Sequence, residues 1–87
     1  MKVAVWDTYV TRNDGKIMHF DILVEENVME ENIIFEYGKK YLKSVMQSTQ
    51  NLTSKQCNFC HIDVVPEHME KQIINNGYAI IEMENCY

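Results

Sequence analysis

Residues 3 to 10 and 16 to 24 are rich in β-branched and aromatic types, and between them stands Arg12-Asn13-Asp14-Gly15, a strong hairpin signal. A type I turn at Asn13 and Asp14 with Gly15 in the left-handed region sets the register, pairing Tyr9 with His19 and Asp7 with Asp21. The even positions, Ala4, Trp6, Thr8, Val10, Met18, Phe20, Ile22 and Val24, then share one nearly all-apolar face. A two-residue loop at Asp14-Gly15 would shift the pairing by one and mix the faces, so the bulged turn is preferred. Its consequence is a polar outer face carrying Asp7, Tyr9, His19 and Asp21.

From residue 28 to 47 the apolar spacing becomes helical, with Ile33, Ile34, Tyr37, Tyr41, Val45 and Met46 as one stripe. Asn27 is placed to cap this helix, with Glu30 completing a capping box. Residues 48 to 54 are polar and read as a loop, and a third strand is expected over 59 to 64. Pro66 suits a first helical position and Gly77 a left-handed helix end. Met69 and Ile73 face inward on that second helix, and residues 78 to 83 form a largely buried last strand before Glu84-Asn85-Cys86-Tyr87. The order strand, strand, helix, strand, helix, strand predicts one α+β domain over residues 1 to 87: a small mixed sheet with two helices packed on one face.

Composition narrows the function classes. A chain of 87 residues with 46 % hydrophobic and 24 % charged residues belongs to folded domains. The formal charge of -5 gives no field that would gather phosphate, so nucleic acid is not an expected partner. Lys39, Lys40 and Lys43 fall late in the first helix, where cations complement the helix dipole. No apolar stretch approaches the roughly 20 residues of a membrane helix, and the run Val3-Ala4-Val5-Trp6 ends at Asp7, short of an export signal. No membrane partner is expected and a cytoplasmic location is, in which three cysteines are thiols or ligands rather than disulfides.

Two constellations carry chemistry. Cys57-Asn58-Phe59-Cys60-His61 has the two-residue cysteine spacing with which a tight turn aims two thiolates at one metal, and His61 adds an imidazole. Zinc needs two further ligands, for which Cys86 and either His19 or His61 are the best candidates. The plain alternative is three small buried thiols. Redox cycling of Cys57 and Cys60 is a further reading, weakened by the lack of a thioredoxin-like pattern before the pair. The c-type haem attachment signature is also spelled, but without an export signal no haem is expected. His68 reads as a solvated residue in the first turn of the second helix.

The second constellation is Asp7, Tyr9, His19 and Asp21. A carboxylate can orient an imidazole for proton transfer or metal binding, although an outward hairpin face is usually polar because it meets water. Asp7 opposite Asp21 is mildly repulsive unless a cation or a hydrogen-bond donor lies between them. No phosphate loop, nucleophile elbow or metallopeptidase helix is present, so the catalytic residues, if any, are unknown and a binding or structural role is favoured over an enzyme.

The blocks Val5-Trp6-Asp7-Thr8-Tyr9-Val10, Met18-His19-Phe20-Asp21, Cys57-Asn58-Phe59-Cys60-His61 and the tail from Gly77-Tyr78 to Glu84-Asn85-Cys86 carry a likeness. Over nearly the whole chain the sequence resembles a small bacterial family catalogued as a domain of unknown function, number twenty twenty-four. Asn85 departs from the Gly-Cys ending of that family. The resemblance implies a compact α+β fold, no known reaction, and His19, Cys57, Cys60, His61 and Cys86 as one cluster to test. The leading expectation is therefore a small zinc-binding domain; the alternatives are a metal-free module that binds a small molecule or protein on the outer hairpin face, and a thiol redox protein.

Overall fold

The computed structural model describes residues 1–53 and 56–86; Ser54, at the end of the expected polar loop, Lys55 after it and Tyr87 lie outside the described residues. The elements run β1 (Lys2–Thr11), β2 (Ile17–Glu25), α1 (Glu31–Ser44), β3 (Cys57–Val64), α2 (Glu67–Asn76) and β4 (Ala79–Glu84), the α+β order expected from the sequence.

The first hairpin forms by the bulged turn. Gly15 N–H donates to Arg12 O at 3.0 Å, Arg12 N–H donates to Lys16 O at 2.7 Å, and Gly15 has φ +88. Only glycine takes that left-handed value without strain. The register follows, with Asp7 opposite Asp21 and Tyr9 opposite His19. The tip is tied to the segment after α1: Asn13 N–H donates to Gln47 Oε1 and Asn13 Oδ1 accepts from Ser48 N–H.

β3 adds to the outer side of β1 and β4 to the outer side of β2, giving the order β3-β1-β2-β4. Every neighbouring pair is antiparallel, so the sheet is not the mixed one expected. The helices also differ from expectation in lying on opposite faces. Ile34, Tyr41 and Leu42 of α1 close over Ala4, Trp6, Val10, Met18, Phe20, Ile22 and Val24. Ile73 of α2 instead packs with Val3, Val5, Leu23 and Ala79, joined by Met69 and Ile81. The physical reason lies at the end of the hairpin away from the turn. There the odd positions Val3, Val5 and Leu23 are apolar as well, and a face that apolar must be covered.

The helix boundaries correct two details. α1 begins after Glu30 with no side-chain cap, so the Asn27 capping box does not form. It ends at Ser44, leaving Met46 in the left-handed region (φ +61) and 87 % exposed rather than on the buried stripe. Gly38 and Leu42 take the central places, Gly38 because a Cβ there would stand 2.9 Å from Leu52 Cδ2. Pro66 precedes the first residue of α2 as its N-cap, and Gly77 ends that helix at φ +89, its N–H donating to Ile73 O at 2.7 Å.

Candidate metal and ligand site on the outer hairpin face

The helix α2 is ten residues long, which spans roughly 15 Å, whereas β1 spans roughly 33 Å. α2 therefore shields only the Val3 end of its face. Beyond it, the odd positions of β1 and β2 present Asp7, Tyr9, His19 and Asp21 side by side.

His19 Nε2 stands 3.6 Å from Asp21 Oδ1 and 3.8 Å from Asp7 Oδ1. Ligand atoms of all three residues fall within 4.8 Å of one another, and among the described residues no other set of three His, Cys, Asp or Glu side chains meets that condition. The His19 and Asp21 side chains are only 16 % and 14 % exposed. His19 Nε2 and Asp21 Oδ1 are both sealed from solvent, and neither has a hydrogen-bond partner. The Tyr9 ring stacks on the imidazole, centroids 4.2 Å apart and planes within 10°, and holds its orientation.

The carboxylates are held in opposite states. A hydrogen bond from Asp21 lowers the Asp7 pKa below its usual value, helped by the Cys60 thiol and the imidazole. Asp21 is pushed up to about 6 by desolvation, by its hydrogen bond to Asp7 and by the charge of Asp7. Below about pH 6 Asp21 keeps a proton that it can donate to Asp7. This is the hydrogen-bond donor that two facing carboxylates require.

Bulges flank the cluster on both sides. His61 pairs with Val5 and Phe59 with Trp6, so Cys60 is an extra residue in β3. Glu84 pairs with His19 and Glu82 with Phe20, so Met83 is an extra residue in β4. A bulge re-aims side chains, and the first of these brings the Cys60 thiol to the Asp7 carboxylate.

The cysteines are not brought together. Cys57-x-x-Cys60 lies in an extended strand rather than in the tight turn that two thiolates on one metal require. Three residues of extended strand span roughly 10 Å, beyond the Cα separation of about 7 Å that a disulfide permits. Cys57 opposes Thr8, buried in the α1-side core, and burial raises its pKa. Cys60 is exposed on the outer face, its pKa raised by desolvation and by the neighbouring carboxylates of Asp7 and Asp21. Neither thiol is thus poised as a thiolate for redox exchange. Cys86 follows β4 at the far edge of the sheet, three strand spacings or roughly 14 Å from β3. It is buried, its Sγ donating to His19 O at 3.3 Å and Glu84 O at 3.2 Å. His61 is exposed beside the cluster, its Nδ1 3.1 Å from Cys60 Sγ and its Nε2 3.4 Å from Asp63 Oδ2. His68 is exposed on α2.

Of the expected zinc set, only His19 thus enters a group of ligands, and it does so with Asp7 and Asp21 rather than with sulfur. The hairpin register already contained that trio. The part the sequence could not give is the Cys60–Asp7 contact, because a bulge changes strand parity without a residue signature of its own.

A four-stranded antiparallel sheet with one helix on each face, carrying a stacked imidazole between two carboxylates, defines the class. The chain belongs to the family described as Domain of unknown function (DUF2024), whose model matches residues 1–83. It is similar over its whole length to the NMR structure of protein NE1680 from Nitrosomonas europaea, a structural genomics target, with 37 % identity, a TM-score of 0.85 and 100 % of both chains covered. No curated protein matches the chain. Among the described residues no helix is long and apolar enough to cross a membrane.

Proposed function

We propose that this domain binds one divalent transition-metal ion through His19, Asp7 and Asp21, in a binding or structural role, with zinc as the first ion to test. The observation that carries this reading is the spacing of the ligand atoms. Donors about 2.1 Å from a tetrahedral ion lie about 3.4 Å from one another. The 3.6 and 3.8 Å separations here are within a few tenths of an ångström of that, and too long for direct hydrogen bonds. An ion between them would partner the sealed Nε2 and Oδ1 atoms and replace the proton that Asp21 donates to Asp7. Two carboxylates and a neutral imidazole also balance a dipositive charge, and imidazole with carboxylate oxygen is a donor set that zinc accepts.

The test is cobalt substitution of the untagged protein with absorption spectroscopy, paired with native mass spectrometry in zinc. One ion per chain and a cobalt spectrum without thiolate charge transfer support oxygen and nitrogen ligation. An intense sulfur-to-cobalt band would move the site to the cysteines, and a chain that remains metal-free in excess zinc would remove the reading.

A second reading keeps the same atoms without an ion: Asp21, with its pKa near 6, holds a proton beside His19 for transfer. The two readings are linked, because an ion must displace that proton. Zinc affinity therefore rises with pH through about 6 if the ion binds here.

A further inference from the structure

Consecutive residues of a regular strand point to opposite faces, so a cysteine and a histidine side by side in sequence do not meet there. The bulge in β3 lifts that restriction. Cys60 is the extra residue, and its side chain joins that of His61, with Sγ 3.1 Å from Nδ1. Asp63, two residues on and therefore on the same face as His61, places Oδ2 3.4 Å from the other ring nitrogen, Nε2. Its second oxygen, Oδ1, accepts from Val64 N–H at 2.7 Å, which holds the carboxylate in place.

A thiol in reach of an imidazole that a carboxylate orients is the arrangement of an activated nucleophile. With Nε2–H turned to Asp63, Nδ1 is left as the acceptor that faces the sulfur. The thiol needs that acceptor, because desolvation and the carboxylates of Asp7 and Asp21 raise its pKa and keep it protonated at neutral pH. Cys60, His61 and Asp63 are all exposed, so a reactant can approach them.

The same imidazole and carboxylate line a cavity of about 250 Å³ whose apolar walls include Val5, Leu23, Met69 and Ile81. A cavity of about 150 Å³ accepts a benzene-sized molecule, so this one takes a body of roughly ten non-hydrogen atoms. Asp21 is a further carboxylate in the lining, and no lysine or arginine belongs to it. An anionic reactant is repelled there, whereas a neutral apolar one is accepted with its reacting atom beside the His61 ring and the sulfur.

We propose that Cys60 is a nucleophile that takes the acyl group of a neutral apolar ester, with His61 as its general base and Asp63 as the residue that positions the ring. In this step the bond from Sγ to the acyl carbon forms and the ester C–O bond breaks. The thiol proton passes to His61 Nδ1 and from there to the departing oxygen, leaving a thioester on Cys60 and a free alcohol. None of the three residues is a ligand in the metal reading above, so the two stand or fall separately.

The experiment mixes the full chain, with a chelator present, with p-nitrophenyl acetate, butyrate and hexanoate and with the anionic p-nitrophenyl hemiglutarate. Nitrophenol release and the acyl mass gained by each cysteine-containing peptide are followed, with free cysteine as the reference thiol. The expected result is one acyl group per chain, on Cys60, with the hexanoate preferred over the acetate by about tenfold or more, because each buried methylene contributes about fourfold. The hemiglutarate should react slowest. His61→Gln should slow acylation by about 100-fold or more. It should also abolish the slowing in heavy water that the parent shows, since only a thiol that gives up its proton during attack senses deuterium. Asp63→Asn should slow the reaction to a smaller extent, and Asp63→Glu should recover the loss. Met69→Trp should bring the hexanoate down to the rate of the acetate, and Ile81→Phe fills the same space should the tryptophan variant misfold. Acylation of Cys60 at the parent rate in His61→Gln, or no faster than that of free cysteine, overturns the proposal, as does labelling spread over all three cysteines of the folded chain. Equal preference for acetate and hexanoate overturns the part assigned to the cavity.

Discussion

The two faces of the sheet are built from the same strands and solve opposite problems. On the α1 side, every inward position of the hairpin is apolar except Thr8, and Trp6, Phe20, Ile22, Val24, Tyr41 and Leu42 pack into one continuous core. Leu52 from the loop after α1, and Cys57 and Cys86 from the edges, extend that cover. On the α2 side, a shorter helix closes over the Val3, Val5 and Leu23 end only, and the remaining length is given to an imidazole and two carboxylates. Ionisable side chains gather where the cover stops. Polar groups there are half-buried rather than solvated, which lets the same site raise one carboxylate pKa and lower its neighbour's.

The largest expected effect breaks the covered face. Phe20→Ala removes a fully buried ring that packs on Tyr41, with centroids 4.5 Å apart, and should cost about 3–5 kcal/mol. In a domain of this size that lowers Tm by on the order of 15 °C or more, read by calorimetry. The change should act through folding alone.

A substitution on the other face should do the reverse. His19→Ala removes the central ligand and should weaken zinc binding by about 100-fold or more, by isothermal titration, since even groups that only orient ligands are worth about 10- to 100-fold. The metal-free variant should stay within about 1 kcal/mol of the parent in denaturant midpoint, because the ring is stacked on Tyr9 and not locked in the core. A loss of stability as large as that of Phe20→Ala would erase the contrast between the faces.

A smaller effect sharpens it. Because the folded Asp21 pKa is raised from 3.8 to about 6, the native chain keeps a proton that the unfolded chain has released between those values. The contribution of Asp21 to stability is therefore fully present below about pH 4, falls as pH rises through about 6, and is absent above it. Asp21→Asn should remove this fall and raise the Tm of the metal-free protein at pH 7.5 by roughly a few degrees, a modest gain because solvent near the site screens part of the interaction. Asp7, with its pKa lowered, contributes in the opposite sense and in a separate window: its stabilisation is present above about pH 4 and lost below.

The smallest effect concerns the thiols. Cys60 should react first with a disulfide reagent in the folded protein, while Cys57 and Cys86, both buried, react only as the chain unfolds. Equal rates at all three would place them on one surface.

Much of this was legible in the chain. The turn chemistry of Asn13-Asp14-Gly15 set the register, and with it the neighbours Asp7, Tyr9, His19 and Asp21, because a left-handed glycine admits one pairing that keeps the faces unmixed. The helix ends at Gly77 and near Pro66 followed from backbone rules just as local. The side chosen by α2 was not visible, since Val3, Val5 and Leu23 read as strand residues whichever face is covered. The Cys-x-x-Cys-His spacing misled for a related reason: it describes a ligand pair only when its two middle residues turn, and Asn58 and Phe59 instead continue a strand in which Phe59 packs edge-on against Trp6, centroids 5.8 Å apart. Both bulges depend on pairing partners far away in sequence.

The most direct measurement is zinc stoichiometry by native mass spectrometry on the parent chain, on Asp7→Asn with Asp21→Asn, and on Cys57→Ser with Cys86→Ser. The account predicts one ion in the parent, one in the double-serine chain and none in the double-asparagine chain at equal protein and zinc concentration. An ion that survives the loss of both carboxylates and disappears with the two sulfurs would contradict it.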